Sequence, residues 1–314
     1  MIKILFTNIG RRNYFIDFVN DLNKRGYKIK LFISDVSKIT SSFYISKKVK
    51  KIITPKVSDG KEKYINTLLR ECKKNKINLL IPLIDTELEV LSKYKKKFER
   101  IGTKVIISDN NLISKTIDKK KTFCHFANSK IKMPKTFFNL KNFNYIFPVI
   151  KKPIKGSASE NIQIIRNKKE LKNFNSSTHI LQKFIHGDEY SVDILNDFSG
   201  NFVHCCIKKK ISMRAGETDK AKIIYSKKIL SLSKAVSNFL KHVGLADIDL
   251  ILTKNGEVYF LDFNLRFGGG YPFTHLSGCN YLKLIIDMYL GKKLNTKFNR
   301  ANQTFMKGIN IQSF

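Results

Sequence analysis

The chain has 314 residues, 42% of them hydrophobic, and a formal net charge of +34 from 59 Lys and Arg against 25 Asp and Glu. That is enough apolar material for a substantial core in two or three lobes, and no apolar run reaches the roughly 20 residues that cross a bilayer. The lysines are dispersed as pairs and triplets (Lys95–Lys97, Lys119–Lys121, Lys208–Lys210) beside many Ile, Asn and Phe, which argues for filled solvated faces and against specific nucleic-acid recognition.

Residues 2–7 (IKILFT) read as a buried strand followed by a turn at Asn8–Gly10. A helix then runs to about Lys24, with Phe15, Phe18, Val19 and Leu22 at helical spacing and Gly26 as a stop. KIKLFISD is a second strand ending at Asp35, and KKIITP a short third. A helix from about Lys61 to Asn75, the strand INLLIPL, a helix from about Thr86 to Arg100 and the strand KVIISD complete the series. Strands alternating with helices predict a parallel, doubly wound sheet of Rossmann type over 1–112. Its first turn, TNIGRRN, lacks the GxGxxG spacing of a dinucleotide site. Asp35 is therefore expected as a strand-end turn residue, and the lobe as scaffold plus part of a substrate pocket. MIKILFTNIG leads straight into that domain and is not expected to be a signal peptide.

From residue 113 the pattern changes. A lysine-rich helix is expected over about 114–128, then MPKTFF, FPVIKKP, a Gly/Ser turn GSASENIQII and a short helix KKELKNF. HILQKFIHGDEYSVDIL and a hairpin-like FSGNFVHCCIKKKISM precede a long helix over about Ser226–His242. ADIDLILTKNGEVYFLDFN then predicts two strands joined at Lys254–Gly256, since Asn-Gly is a strong hairpin turn. A last helix is expected over Tyr281–Leu290, with an uninformative tail behind it. This half is α+β and largely antiparallel, and segments 113–190 and 191–314 are taken as its smaller and larger parts.

The five cysteines (72, 124, 205, 206, 279) are scattered, without CxxC spacing. They suggest neither a disulfide framework nor a zinc site, and they fit a reducing cytoplasm. Cys205 and Cys206, adjacent in an apparent strand, should point to opposite faces as structural thiols. The high positive charge should favour anionic substrates and give salt-sensitive, non-specific polyanion binding.

The segment YFLDFNLRFGGGYP carries the sharpest chemical signal. Strict alternation over Tyr259–Arg266 would set Phe260, Asp262, Asn264 and Arg266 on one face, and Asp247 and Asp249 share a face of the partner strand. Two or three carboxylates, an amide oxygen and a guanidinium can thus cluster. Hard oxygen donors of this kind suit Mg²⁺ completed by nucleotide phosphates, and an arginine beside them suits a transferring phosphoryl group. A solvated hairpin face with surface salt bridges is the competing reading. Lys152 before the loop of Gly156, Ser157 and Ser159 would fit a flap over phosphates. QKFIHGDEY would fit an adenine edge met by Gln182 and the Lys183–Phe184–Ile185 backbone, with Glu189 on the ribose; a plain strand–turn–strand is the alternative.

In this order and at these separations, IKILFTNIGRR, LLIPLIDTELEVL, FPVIKKPIKGSASENI, LQKFIHGDEYSVDIL and GLADIDLILTKNGEVYFLDFNLRFGGGYP resemble the ATP-grasp superfamily. The branch they resemble is that of the carbamoyl-phosphate-synthase-like carboxylate–amine ligases. The resemblance spans nearly the whole chain and implies an ATP-grasp fold behind a Rossmann-like lobe. It implies that Lys119 and Lys152 contact nucleotide phosphates, Gln182 accepts from the adenine amino group and Glu189 holds the ribose. Asp249, Asp262 and Asn264 would bind Mg²⁺ (or Mn²⁺), Arg266 would stabilise an acyl-phosphate, and Arg214 would face substrate or phosphate. The implied reaction is attack of a substrate carboxylate on the γ-phosphate of ATP, then displacement of phosphate by an amine. The substrates would be small molecules, such as amino acids or a cell-envelope or sugar precursor, and the resemblance allows a homodimer. Two positions depart from the family: Gln182 stands where glutamate is usual, and Asp262-Phe-Asn264 replaces Glu-x-Asn. These departures keep a non-catalytic ATP-binding sensor or scaffold as the alternative.

Overall fold

The computed structural model describes residues 1–46, 48–141, 143–156, 161–172, 174–297 and 302–308. Two compact units emerge: Met1–Asn110 with Leu282–Lys292 and Gly308, and Asn111–Tyr281 with Lys293–Lys307.

The first unit is a parallel sheet of β1 (Ile2–Thr7), β2 (Ile29–Asp35), β3 (Lys50–Ile53), β4 (Leu79–Pro82) and β5 (Lys104–Val105) in the order β3-β2-β1-β4-β5. Its connections include α1 (Tyr14–Lys24), α2 (Ser41–Tyr44), α3 (Lys61–Asn75) and α4 (Asp85–Arg100). Ile4, Leu5, Phe6 and Leu79–Ile81 are almost fully buried, as expected of strands covered on both faces. Asp35 ends β2 and accepts from the Gly10 amide at 2.8 Å and the Ser37 amide at 3.0 Å, joining two turns. The turn after β1 holds Asn8 in the left-handed region (φ 48°), and its amide donates to Tyr64 Oη (3.0 Å) and Glu87 Oε2 (2.9 Å). Glu87 is fully buried, and burial pushes its carboxyl up against the donors that surround it. Residues 282–292 belong with this unit, where Tyr27 Oη donates to Asp287 at 2.6 Å.

The second unit opens with α5 (Asn110–Thr116) and α6 (Lys119–Phe126). The single helix expected over 114–128 is therefore two. Asp118 separates them because its carboxylate accepts from the Lys120 and Lys121 amides at 3.0 and 3.1 Å and starts a new helix as its N-cap. A small antiparallel sheet follows, from β6 (Thr136–Phe137), β7 (Val149–Pro153), β8 (Gln163–Ile165) and β9 (His179–Lys183), in the order β6-β9-β7-β8. One face packs Phe137, Val149, Ile165 and Leu181 against Phe143 and Leu171. The opposite face, set by the pairs Thr136–Gln182, Ile150–Gln182 and Ile150–Ile164, also carries Lys152.

The larger antiparallel sheet contains β10 (Asp188–Asn196), β11 (Phe202–Arg214), β12 (Glu217–Ile224), β13 (Gly244–Leu252), β14 (Val258–Asn264) and β15 (Thr304–Met306) in the order β14-β13-β10-β11-β12-β15. The helices α7 (Lys227–Leu240), α8 (Tyr271–Leu276) and α9 (Tyr281–Tyr289) complete the elements. Ser226 caps α7, its hydroxyl accepting from the Ile229 amide. β15 corrects the view of an uninformative tail: Thr304–Met306 pairs with Lys220–Lys222 on β12, a three-residue edge too short to stand out in sequence. The Lys208–Lys210 triplet also departs from expectation. Only Lys209 faces solvent; Lys208 is fully buried and the Lys210 side chain is 9% exposed, because a strand turns alternate residues to one face and this face is acidic. Cys205 and Cys206 do take opposite faces and are both buried; burial pushes the Cys205 thiol up to about 12.

Candidate functional site

The β13–β14 hairpin turns at Thr253–Glu257, where the Thr253 amide donates to Glu257 O and the Gly256 amide to Thr253 O, both at 2.9 Å. Gly256 has φ 77°, which a side chain would oppose. Pairing runs Asp247–Asn264, Asp249–Asp262, then skips to Leu250–Phe260. This bulge corrects the strict alternation. Leu261 is the extra residue, so Phe260 moves to the apolar face and stacks with Phe263, while Asp262 and Asn264 stay on the polar one. Phe263 stacks in turn on Phe126 of α6, with centroids 4.4 Å apart. β14 ends at Asn264, so Arg266 belongs to the loop behind it, where a guanidinium nitrogen donates to Phe267 O at 3.1 Å.

Register extends the polar face across four strands. Lys208, Ser191, Asp249 and Asp262 form one row; Cys206, Asp193, Asp247 and Asn264 form the next. Asp247 accepts from Ser191 Oγ at 2.5 Å, and its backbone carbonyl takes Asn264 Nδ2 at 3.2 Å, which leaves the Asn264 oxygen as the acceptor available to a ligand. Asp193 and Lys208, both fully buried, are 2.5 Å apart, and Thr274 Oγ1 donates to Asp193 at 2.5 Å, tying α8 to the sheet.

The small sheet supplies the opposing cations. Lys152 on β7 is 3% exposed and places Nζ 3.2 Å from Asp262 Oδ1. Lys119, at the first position of α6, lies 4.0 Å from the same oxygen and donates to the Gly156 carbonyl at 2.8 Å. Its own amide donates to Ile154 O, so the helix start and the exit of β7 are held together. Ser157 and Ser159 lie outside the described residues. Lys210 meets Asp249 at 2.6 Å and stands 4.0 Å from Glu189.

Burial works to raise every acid on this face, and the cations decide the outcome. Lys152, Lys119 and Lys210 outweigh burial at Asp262 and hold its carboxyl below the ordinary range. Asp247 is likewise held down, against burial, by Lys208, Ser191, Arg266 and Lys210. Asp249 goes up, since burial with Asp247 and Asp262 beside it exceeds the help of Lys210. Lys210 stays protonated despite burial because Asp249, Asp247 and Glu189 surround it. Two recessed carboxylates, 26% and 29% exposed, and an oriented amide oxygen beside lysines are a donor set that fits a divalent cation carrying phosphates. Among the described residues, no group of three or more His, Cys, Asp and Glu is placed to hold a metal ion.

The remaining sequence-predicted residues are placed as follows. Gln182 is 4% exposed and donates from Nε2 to Thr136 Oγ1 at 3.0 Å. The Lys183 and Phe184 amides donate to Lys135 O (2.8 Å) and Pro148 O (3.4 Å). Phe184 also lines an open cavity of ≈ 380 Å³ with Phe147, Pro148, Ile164, Arg166 and His186. Glu189, with a side chain 56% exposed, sits at the start of β10. Arg214 lies at the end of the β11–β12 hairpin, 59% exposed and 3.4 Å from Asp219. Sequence reasoning left out Ser191, Asp193, Lys208, Lys210 and Thr136. Asp193 and the lysine triplet carried a signal, as charged residues inside apolar strands; Ser191 and Thr136 carried none, since only cross-strand pairing brings them to the site.

Residues 4–106 match the family described as "PylC-like, N-terminal domain" and residues 116–270 the "ATP-grasp domain". D-alanine–D-alanine ligase of Aquifex aeolicus is 26% identical over 132 residues, which cover 38% of this chain and 45% of that enzyme, so the chain spans less than half of that relative. Among solved structures, the biotin carboxylase domain of Hydrogenobacter thermophilus 2-oxoglutarate carboxylase, determined with MgADP and bicarbonate, superposes with a TM-score of 0.72 at 16% identity, covering 96% of this chain and 72% of that one. L-amino acid ligase from Bacillus licheniformis superposes at 0.69 and 15% identity, covering 92% and 74%. At such identities the likeness shows the fold, and the fold agrees with the two family matches: this chain carries an ATP-grasp domain behind a PylC-like N-terminal domain.

Proposed function

We propose that the protein is an ATP- and Mg²⁺-dependent ligase that joins a small-molecule carboxylate to an amine through an acyl-phosphate, releasing ADP and phosphate. The observation that carries this reading is the meeting of Lys152 from one sheet with Asp262 from the other, beside Asp249 and Asn264 in register. Mg²⁺, when bound, would neutralise charge on the phosphates and on the transferring phosphoryl group. Asp249, Asp262 and Asn264 would hold it, and Lys152 and Lys210, which lie against the two aspartates, would face the phosphate oxygens. Lys119 and Lys152 would orient the phosphate chain, and Arg266 would stabilise the acyl-phosphate. Among the described residues the Ile185 amide has no hydrogen-bond partner, which suits it to the edge of a base, with Gln182 beside it. The adenine ring would pack near Phe184, and Glu189 would reach the ribose.

D-alanine–D-alanine ligase and L-amino acid ligase, by their names, act on amino acids, which supports an amino acid as one substrate here. The homodimer is part of the same proposal; sedimentation of the full chain tests it separately. ADP release from Mg-ATP against a pool of amino acids and small carboxylic acids, with Asp262→Ala as control, tests the reaction. Substrate-dependent release that vanishes in the control supports the ligase. ATP binding with no turnover under any pool supports the sensor instead, and absence of ATP binding sinks both.

A further inference from the structure

Gln182 stands where an acceptor for the adenine amino group is needed, yet an amide end can present either oxygen or NH₂. Its surroundings remove that freedom. Gln182 and Thr136 are direct cross-strand partners on β9 and β6. Thr136 Oγ1 donates to the Pro134 carbonyl at 3.0 Å, and Gln182 Nε2 donates to Thr136 Oγ1 at 3.0 Å. The hydroxyl has one proton, and the Pro134 carbonyl takes it; what it offers Gln182 is a lone pair. The reversed amide would set two carbonyl oxygens against that one proton and leave either Pro134 or Gln182 unpaired. The relay therefore fixes Nε2 toward Thr136 and leaves Oε1, with no partner among the described residues, as the free atom. Gln182 shares its face with Ile150, Ile164 and Lys152, so the oxygen belongs to the face whose lysine meets Asp262.

We propose that Thr136 is the positioning residue for base selection: by holding the Gln182 amide with its oxygen free, it makes the site accept a 6-amino purine and reject a 6-oxo purine. This rests on the nucleotide site proposed above. A carboxylate at 182 would present oxygens in either orientation and would need no such device; an amide does.

The test is calorimetric titration of the full chain with Mg-ATP and with Mg-ITP, in which a carbonyl oxygen replaces the amino group and N1 carries a proton. The wild type should bind ATP at least about tenfold more tightly than ITP, the size of one misplaced hydrogen bond at C6 with N1 adding to it. In Thr136→Val the amide is free to turn, so the ATP Kd should rise while the ITP Kd falls, narrowing the ratio by about tenfold and leaving the part set by the Ile185 amide against N1. Thr136→Ser should restore the wild-type ratio. Gln182→Glu should keep the preference for ATP, and adding Thr136→Val to it should leave the ratio unchanged. A merely structural role for Thr136 would move both constants the same way, and that result, or no change in either, overturns the proposal. Equal binding of ATP and ITP by the wild type also overturns it while leaving the ligase standing, whereas no ATP binding at all removes the nucleotide site itself.

Discussion

Gly268 and Gly270 provide a matched pair for testing whether the glycine loop behind β14 is held by the acidic face. Neither has a positive φ, so an alanine at either position brings no backbone strain and its effect is steric. A Cβ on Gly268 would lie 2.0 Å from Asp247 Oδ2 and 2.3 Å from its Cγ. Asp247 cannot easily withdraw, because Ser191 holds its other oxygen at 2.5 Å and β13 is paired on both sides. Restoring an ordinary 3.4 Å contact requires the loop, with Arg266 two residues away, to shift by about 1.4 Å. Overpacking of this kind costs about 1–3 kcal/mol of stability, and a displacement of about 1 Å at a reacting centre costs roughly 10²-fold in rate. On Gly270 the nearest atom to a Cβ would be Lys208 Cε at 3.5 Å, an ordinary contact. Gly268→Ala should therefore lower substrate-dependent ADP release about 10²-fold with ATP binding little changed, while Gly270→Ala stays close to wild type. Urea titrations of both variants separate rate from folding. Equal activity in the two would refute the idea that the loop is seated on Asp247.

On the proposed reading, in which its oxygen would serve the metal, Asn264→Ala should abolish turnover and leave the urea midpoint almost unchanged; an unfolded variant with full activity per folded molecule would contradict this. Lys208→Met strands the fully buried Asp193 and should cost about 3–5 kcal/mol in a urea titration, with the loss shrinking at acid pH as Asp193 protonates. His242 is fully buried, and burial holds its imidazole down at about 4. The unfolded chain takes up a proton near 6.5 and the folded one only near 4, so stability is complete above about pH 6.5 and falls as pH drops toward 4. The slope is at most about 1.4 kcal/mol per pH unit for this one group, and His242→Gln should flatten it by one proton in urea midpoints measured from pH 7 to pH 5.

Local pattern alone located β1, α3, the helix behind Ser226 and the Asn255-Gly256 hairpin, because period, caps and turn chemistry act within a few residues. It also singled out Asp249, Asp262, Asn264 and Lys152, since charged or strongly polar residues in apolar strands carry a cost that calls for a partner. What the tertiary structure decided is who those partners are. The bulge at Leu261 moved Phe260 off the polar face, a change no alternation rule contains. Lys208 and Lys210 acquire their partners only when β11 lies beside β10, which carries Asp193, and β13 beyond it, which carries Asp249. Thr136 lies 46 residues from Gln182 and acquires its role only through one backbone pairing. β15 and the Asn8–Tyr64–Glu87 group follow the same rule. Side-chain chemistry is a property of the chain, but hydrogen-bond direction and net charge at a site depend on register, which is fixed only when distant strands meet.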